Sequence, residues 1–208
     1  MNAVFFDLDG TLLDSVSAII RATKETLEQM GLPNSEKAIR DAIGIPLVVQ
    51  AEQFAPGRAD EFIEVYKPTY RKYNRDILYH GALDCLDALH ASDLQLGLVT
   101  SKEQRPTYRV IDATGMTGKF DVVVSANDVK HPKPHPEPIL KALELLDMTS
   151  DEVSYVGDSY FDIDCAKRAG VRVACVTWGA RCREDLALME PDAIVDSYDE
   201  LLAWIDQH

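Results

Sequence analysis

Seven side chains in this sequence are of types that do chemistry, and they fall in four short runs. Asp7 and Asp9 close Ala3-Val-Phe-Phe-Asp-Leu-Asp9 and precede Gly10-Thr11. Thr100 and Ser101 close the apolar run Leu96-Gly-Leu-Val-Thr100. Lys133 stands between Pro132 and Pro134, and Asp158 and Asp162 lie in Gly157-Asp-Ser-Tyr-Phe-Asp162. Two or three carboxylates brought together repel one another unless a cation sits between them. All-oxygen donors with open positions suit Mg²⁺, which takes carboxylates, water and a substrate phosphate. Lys133 adds a point charge for an anion and Thr100 a hydrogen bond to it. A carboxylate nucleophile, a metal, a lysine and a hydroxyl form a set for phosphoryl transfer, in which a protein mainly positions groups and neutralises charge.

Residues this far apart in sequence must be assembled by the fold. The run 3–9, ended by a glycine, reads as a buried strand leading into a loop. After Gly81 strands and helices alternate: helix 82–90, strand 94–99, helix 103–114, strand 121–124, helix 136–146, strand 153–156, helix 161–169, strand 171–176, strand 193–195 and helix 198–205. Such alternation predicts an α/β fold, a Rossmann-like, mostly parallel sheet with helices on both faces and right-handed crossovers. Between Ser15 and His80 the periodicity is helical throughout. Val16, Ile19, Ile20, Thr23, Leu27 and Met30 share one face, with Ser15 placed to cap the helix and Gly31 to end it. Further helical stretches follow at 35–43, 46–54 and 59–74. We read residues 1–14 and 81–208 as one core and 15–80 as an inserted helical domain. In open α/β sheets ligands bind beyond the carboxyl ends of the strands. That rule brings Asp7, Asp9, Thr100, Ser101, Lys133 and Asp158 to one edge, with Asp162 one helical turn further on.

The four runs, in this order, resemble the haloacid dehalogenase superfamily, in its phosphatase branch with a helical cap inserted after the first motif. Asp7-Leu-Asp9-Gly-Thr11 is similar to its D-x-D-G-T, and Thr100 to the hydroxyl that ends its second motif. Lys133-Pro-His-Pro136 is similar to its K-P-x-P, and Gly157 to Asp162 to its G-D-S-x-x-D. Arg168-Ala-Gly-Val171 and Thr177-Trp-Gly179 resemble phosphoglycolate phosphatase and pyrophosphatase-like relatives. The resemblance implies that Asp7 attacks phosphorus, and that Asp9 protonates the leaving oxygen and later activates water. It implies that Asp7, the Asp9 carbonyl and Asp158 hold Mg²⁺, that Thr100 and Lys133 hold the phosphoryl group, and that Asp162 supports the metal waters or Lys133. A small phosphorylated metabolite is the expected partner, with phosphoglycolate leading. A β-phosphoglucomutase-like transferase, a pyrophosphatase and a non-catalytic binding module remain open. A dehalogenase is disfavoured, because that branch lacks the second acid that Asp9 supplies.

The rest of the sequence bounds these expectations. Lys plus Arg total 21 against 35 Asp plus Glu, a net charge of −14. A surface that acidic repels nucleic acid and anionic lipid. No apolar stretch is long enough to span a bilayer, and the start MNAVFFDLDG is unlike a signal peptide, so a cytoplasmic monomer or weak homodimer is expected. Cys85, Cys165, Cys175 and Cys182 include no C-x-x-C pair and read as reduced thiols. His131 and His135 have a zinc-like spacing, but the prolines between them preclude helical geometry. Ser101 and Ser159 read as turn or cap residues as readily as binding ones, and Trp178 as loop packing. Attraction for an anion must be local, and the candidates are Arg21, Lys24, Arg40, Lys67, Arg71, Lys72 and Arg75. The loop Ala42-Ile-Gly-Ile-Pro46 resembles the family's cap loop over the site but carries no cation, which weakens a mutase-like grip on a second phosphate.

Overall fold

A computed structural model describes all residues from Met1 to His208. Six strands, β1 (Ala3–Phe6), β2 (Gln95–Val99), β3 (Val122–Val124), β4 (Val153–Gly157), β5 (Arg172–Val176) and β6 (Ala193–Val195), form one sheet in the order β3-β2-β1-β4-β5-β6. Every pairing is parallel. The first strand is therefore interior, flanked by β2 and β4, and all four of its side chains are buried. A parallel strand covered on both faces has no polar side to show, which is why it reads as an unbroken apolar run.

Side chains alternate across a strand, and β1 divides its side chains between two cores. Val4 and Phe6 join Leu86, Val110 and Leu201, from α5 (Ala82–Ala91), α6 (Gln104–Ala113) and α10 (Tyr198–Ile205). Ala3 and Phe5 join Ile139, Ile163 and Leu186, from α7 (Glu137–Leu146), α8 (Tyr160–Ala169) and α9 (Arg183–Ala187). The predicted strands and helices match these bounds to within one or two residues, except that the strand expected over 3–9 ends at Phe6. The short α9 was not foreseen: its five residues offer too few turns for a periodic signal.

Between β1 and α5 the chain forms four helices, α1 (Val16–Gln29), α2 (Glu36–Asp41), α3 (Leu47–Phe54) and α4 (Ala59–Tyr73), and no strand. Val16, Ile19, Leu27, Ile39, Ala51 and Phe62 form a third apolar cluster there, with Ala180 the one member from outside residues 15–80. The face expected of α1 is buried as far as Leu27; Met30 lies past the helix end. Gly31 follows the C-cap at φ +66, and its N–H bonds the Glu28 carbonyl at 3.1 Å, closing the helix. The expected cap at the other end is absent. Ser15 makes no side-chain bond to the first turn, because its hydroxyl turns to Asp9 instead. No helix is long and apolar enough to cross a membrane.

Gly97 of β2 lies opposite Phe5 of β1, and a Cβ there would stand 2.4 Å from the Phe5 ring. Both sit in close-packed interior, where neither backbone nor ring has room to yield. Gly97→Val should therefore lower stability by about 1–3 kcal/mol or more through overpacking. Adding Phe5→Leu should recover part of the loss. Thermal unfolding of the single and double variants checks this.

Candidate active site

The order β3-β2-β1-β4-β5 sends the chain to one side of β1 and then to the other, opening a crevice at the carboxyl ends of β1 and its neighbours. The predicted residues stand there. Asp7 follows β1, and its N–H continues the sheet ladder to the Val156 carbonyl at 2.9 Å. Thr100 follows β2 and bonds the Val124 carbonyl in the same way, also at 2.9 Å. These ladder bonds fix both residues to rigid strands rather than to loose loop.

Lys133 enters from the loop after β3 and is buried to 2% exposure. Its ammonium donates to Asp7 Oδ1 at 2.8 Å, Asp162 Oδ1 at 2.7 Å, the Tyr155 hydroxyl at 3.0 Å and the Val99 carbonyl at 3.3 Å. The Tyr155 hydroxyl lies 3.0 Å from both Asp162 Oδ1 and the Val99 carbonyl. Ion pairs to Asp162 and Asp7 outweigh the burial that would strip the lysine of its proton, so its pKa is raised. Tyr155 was missed in the sequence. Its signal was a phenol hydroxyl, beside that of Ser154, in an interior strand.

Asp158 and Asp162 have different tasks. Asp162 commits both oxygens to the protein: Oδ1 to Lys133 and Tyr155, Oδ2 to the N–H groups of Asp158 (3.3 Å) and Ser159 (3.1 Å) and to the Ser159 hydroxyl (2.6 Å). Ser159 and Asp162 form a reciprocal capping box at the start of α8, so Ser159 is a cap residue. Asp158 Oδ2 accepts from the Ala180 N–H at 2.5 Å, while Asp158 Oδ1 is buried with no partner. Gly10 and Gly179 let backbone close over this carboxylate: a Cβ on either would stand 2.1 or 2.3 Å from Asp158 Oδ2.

Oxygens of Asp7, Asp158 and Asp162 all lie within 4.8 Å of one another, and all three residues are buried. One lysine cannot balance three carboxylates. Burial, reinforced by Asp162 and Asp9 and opposed by Lys133, pushes Asp7 up to about 7. Burial and the charges on Asp162 and Asp7 push Asp158 well above the carboxylate range. This excess of negative charge, with an unpartnered oxygen on Asp158, fits a hard divalent cation. Asp7 and Asp158 are the side chains free to hold it; Asp162 is already engaged.

Asp9 points elsewhere. Its carboxylate takes the Ser15 hydroxyl at 2.6 Å and Lys102 Nζ at 2.8 Å. Lys102 is a second residue the sequence reading missed, although it directly follows Thr100-Ser101. Thr100 Oγ1 accepts from the Lys102 N–H at 3.2 Å, fixing the turn. The Ser101 hydroxyl donates to the Gly44 carbonyl at 2.7 Å and so ties this edge to the loop between α2 and α3. Trp178 packs the loop after β1, its indole N–H on the Thr11 carbonyl at 3.1 Å. His131 and His135 lie side by side, 4.8 Å between ring centres, and belong to no three-residue ligand group.

The sheet edge and the four helices enclose a cavity of about 730 Å³, with Asp7, Asp9, Thr100 and Lys102 in its lining. Of the seven cations singled out between Ser15 and His80, only Lys67 and Arg71 line it. Arg21 stacks on Tyr73, Lys72 pairs with Glu25, Arg40 with Glu36, and Arg75 bonds the Lys72 carbonyl. Lys24 is exposed.

The family model for haloacid dehalogenase-like hydrolases matches residues 4–176. The chain belongs to that family. Haloacid dehalogenase-like relatives match it from end to end. It is 36% identical to the pyrophosphatase PpaX of Anoxybacillus flavithermus, over 98% of this chain and 96% of that one. It is 33% identical to a phosphoglycolate phosphatase of Salmonella typhi, covering 97% and 91%. Among solved structures, a haloacid dehalogenase-like hydrolase from Streptococcus pneumoniae superposes with a TM-score of 0.83 at 28% identity, covering 99% and 98%.

The charge imbalance yields a test that needs no substrate. Mg²⁺ should raise the melting temperature of the wild type, and EDTA should reverse the rise. Asp158→Asn should lose the response while raising the metal-free melting temperature by a few degrees, since one crowded carboxylate is gone. An equal Mg²⁺ response in wild type and variant, read by differential scanning fluorimetry, would remove Asp158 from the metal site.

Proposed function

We propose that this haloacid dehalogenase-like hydrolase is a Mg²⁺-dependent phosphatase of small phosphorylated metabolites, working through an aspartyl phosphate on Asp7. One observation carries the reading. Asp7 faces a ligand-sized cavity with Lys133 at 2.8 Å and the unpartnered oxygen of Asp158 close by. In the reaction the Asp7 carboxylate attacks phosphorus, forming the Asp7 O–P bond as the bond to the leaving oxygen breaks. Asp9 gives that oxygen a proton. It then takes one from water, which attacks phosphorus, frees Asp7 and yields inorganic phosphate. Thr100 and Lys133 hold the phosphoryl oxygens, and Asp162 and Tyr155 hold Lys133. Asp7, Asp158 and the Asp9 carbonyl would bind the Mg²⁺, which supplies charge neutralisation between nucleophile and phosphate. Ser15 and Lys102 set the orientation of Asp9.

Residues 15–80 act in this scheme as a cap over the chemistry, with the Ser101–Gly44 bond at its edge. A net charge of −14 supports a monomeric or weakly dimeric protein with no nucleic-acid or membrane partner. Phosphoglycolate is the leading substrate. Pyrophosphate is a second reading, supported by the likeness to PpaX at 36% identity.

A phosphate-release screen with Mg²⁺ over glycolate, sugar, nucleotide and polyol phosphates and pyrophosphate tests the class, and isomer formation without phosphate would reveal a mutase. Asp7→Asn should cost several orders of magnitude in kcat with the fold intact. Asp9→Asn separates the two steps. An aryl phosphate leaves without a proton, so rapid mixing with p-nitrophenyl phosphate should give a burst near one equivalent of nitrophenol, then a stall with trapped aspartyl phosphate. Steady turnover with no burst would refute the two roles of Asp9.

A further inference from the structure

Part of the cavity wall is basic. Five of the chain's 21 lysines and arginines line the cavity: Lys67 and Arg71 of α4, Lys102, and Arg105 and Arg109 of α6. In a chain of net charge −14 that concentration is opposite in sign to the rest of the molecule. Lys67 and Arg71 are four residues apart, as are Arg105 and Arg109, so each pair shares a helix face. Like charges at that spacing destabilise a helix slightly. Two helices from different parts of the fold bear this cost toward the same space.

Neutralisation inside the protein is incomplete. Lys102 pairs with Asp9, Lys67 with Glu103 at 3.2 Å and Arg109 with Asp76 at 3.3 Å. Arg71 and Arg105 take part in none of the ion pairs, although Asp and Glu outnumber Lys and Arg by 35 to 21. Both are exposed at the cavity's rim, where a guanidinium keeps its forked donors free for carboxylate or phosphate. The cavity is also larger than a bare phosphate needs, since pockets of roughly 300–1,000 Å³ enclose drug-sized ligands.

We infer that Arg71 and Arg105 form a second anion subsite, so that the substrate is an organic phosphate with a further anionic group, a carboxylate or a second phosphate, at its far end. The inference rests on the phosphatase reading and narrows its substrate class. The sequence offered no cation in the Gly44 loop for such a grip; the structure supplies it from α4 and α6 instead. Because Arg71 lies between β1 and β2 in the helical segment and Arg105 on the sheet's own helix α6, a distal anion would bridge the two.

Matched substrate pairs test this. 3-Phosphoglycerate differs from glycerol 3-phosphate by a carboxylate, and glucose 1,6-bisphosphate from glucose 1-phosphate by a second phosphate. The wild type should prefer the anionic member of at least one pair by about 10-fold or more in kcat/KM, the scale of one charge-assisted hydrogen bond. The pair that shows the preference identifies the distal group. Arg71→Gln and Arg105→Gln should each reduce that ratio about 10-fold, chiefly through KM, and Arg71→Lys should retain more of it than Arg71→Gln. Equal kcat/KM within both pairs, alongside clear hydrolysis of p-nitrophenyl phosphate, would overturn the subsite and leave the phosphatase reading standing. A preference unchanged in both glutamine variants would overturn it equally. Failure to hydrolyse p-nitrophenyl phosphate or any of the four esters would overturn both.

Discussion

Three buried carboxylates share one ammonium group, and the rest of the structure answers to that imbalance. Asp7, Asp158 and Asp162 lie within a few ångströms of one another with Lys133 their only buried cation. In water such a group would disperse. In the interior its members are pinned: Asp7 by the β1 ladder, Asp162 by the capping box of α8, and Asp158 by the Ala180 N–H. Burial first, and with it the charge of the neighbouring carboxylates, raises the pKa values of Asp7 and Asp158. A preorganised excess of negative charge of this kind suits a divalent cation.

The same constraint explains the glycines. Gly10, Gly157 and Gly179 all lie where a Cβ would strike Asp158 or Asp162. Bringing three acids together leaves little volume for anything but backbone, so these positions are set by the site and not by the secondary structure around them. Tyr155 has a related task. Its hydroxyl lies within hydrogen-bond reach of Lys133, Asp162 and the Val99 carbonyl, and so helps to orient the ammonium.

Much of this was legible in the sequence, for a reason that particular elements show. Strands buried on both faces have an apolar signature, and β1, β2, β4 and β5 all carry it. The sheet rule then places whatever follows them at one edge, which is how Asp7, Thr100 and Asp158 were found together. Less legible were contacts decided by side-chain direction. Ser15 has the type and position of a helix cap, yet its hydroxyl serves Asp9. Lys102 and Arg105 were not singled out, because nothing local reveals that α4 stands opposite them. Lys67 and Arg71 could be named as candidates but not sorted from Arg21 or Lys72, since the sorting depends on how the α4 face is turned.

The position of β1 also has a consequence for how the chain comes into being. This strand is made before both of its neighbours, since β2 and β4 begin only at Gln95 and Val153. The loop that follows it waits longer still, because the Thr11 carbonyl takes hydrogen bonds from Trp178 and from Tyr198 of α10, the last helix. Until then a fully apolar segment has no sheet to enter, and pairings this distant in sequence form slowly. The N-terminal strand is thus an aggregation hazard throughout synthesis. Asp7, which follows it, comes into register only once β4 has been made, because its N–H pairs with the Val156 carbonyl.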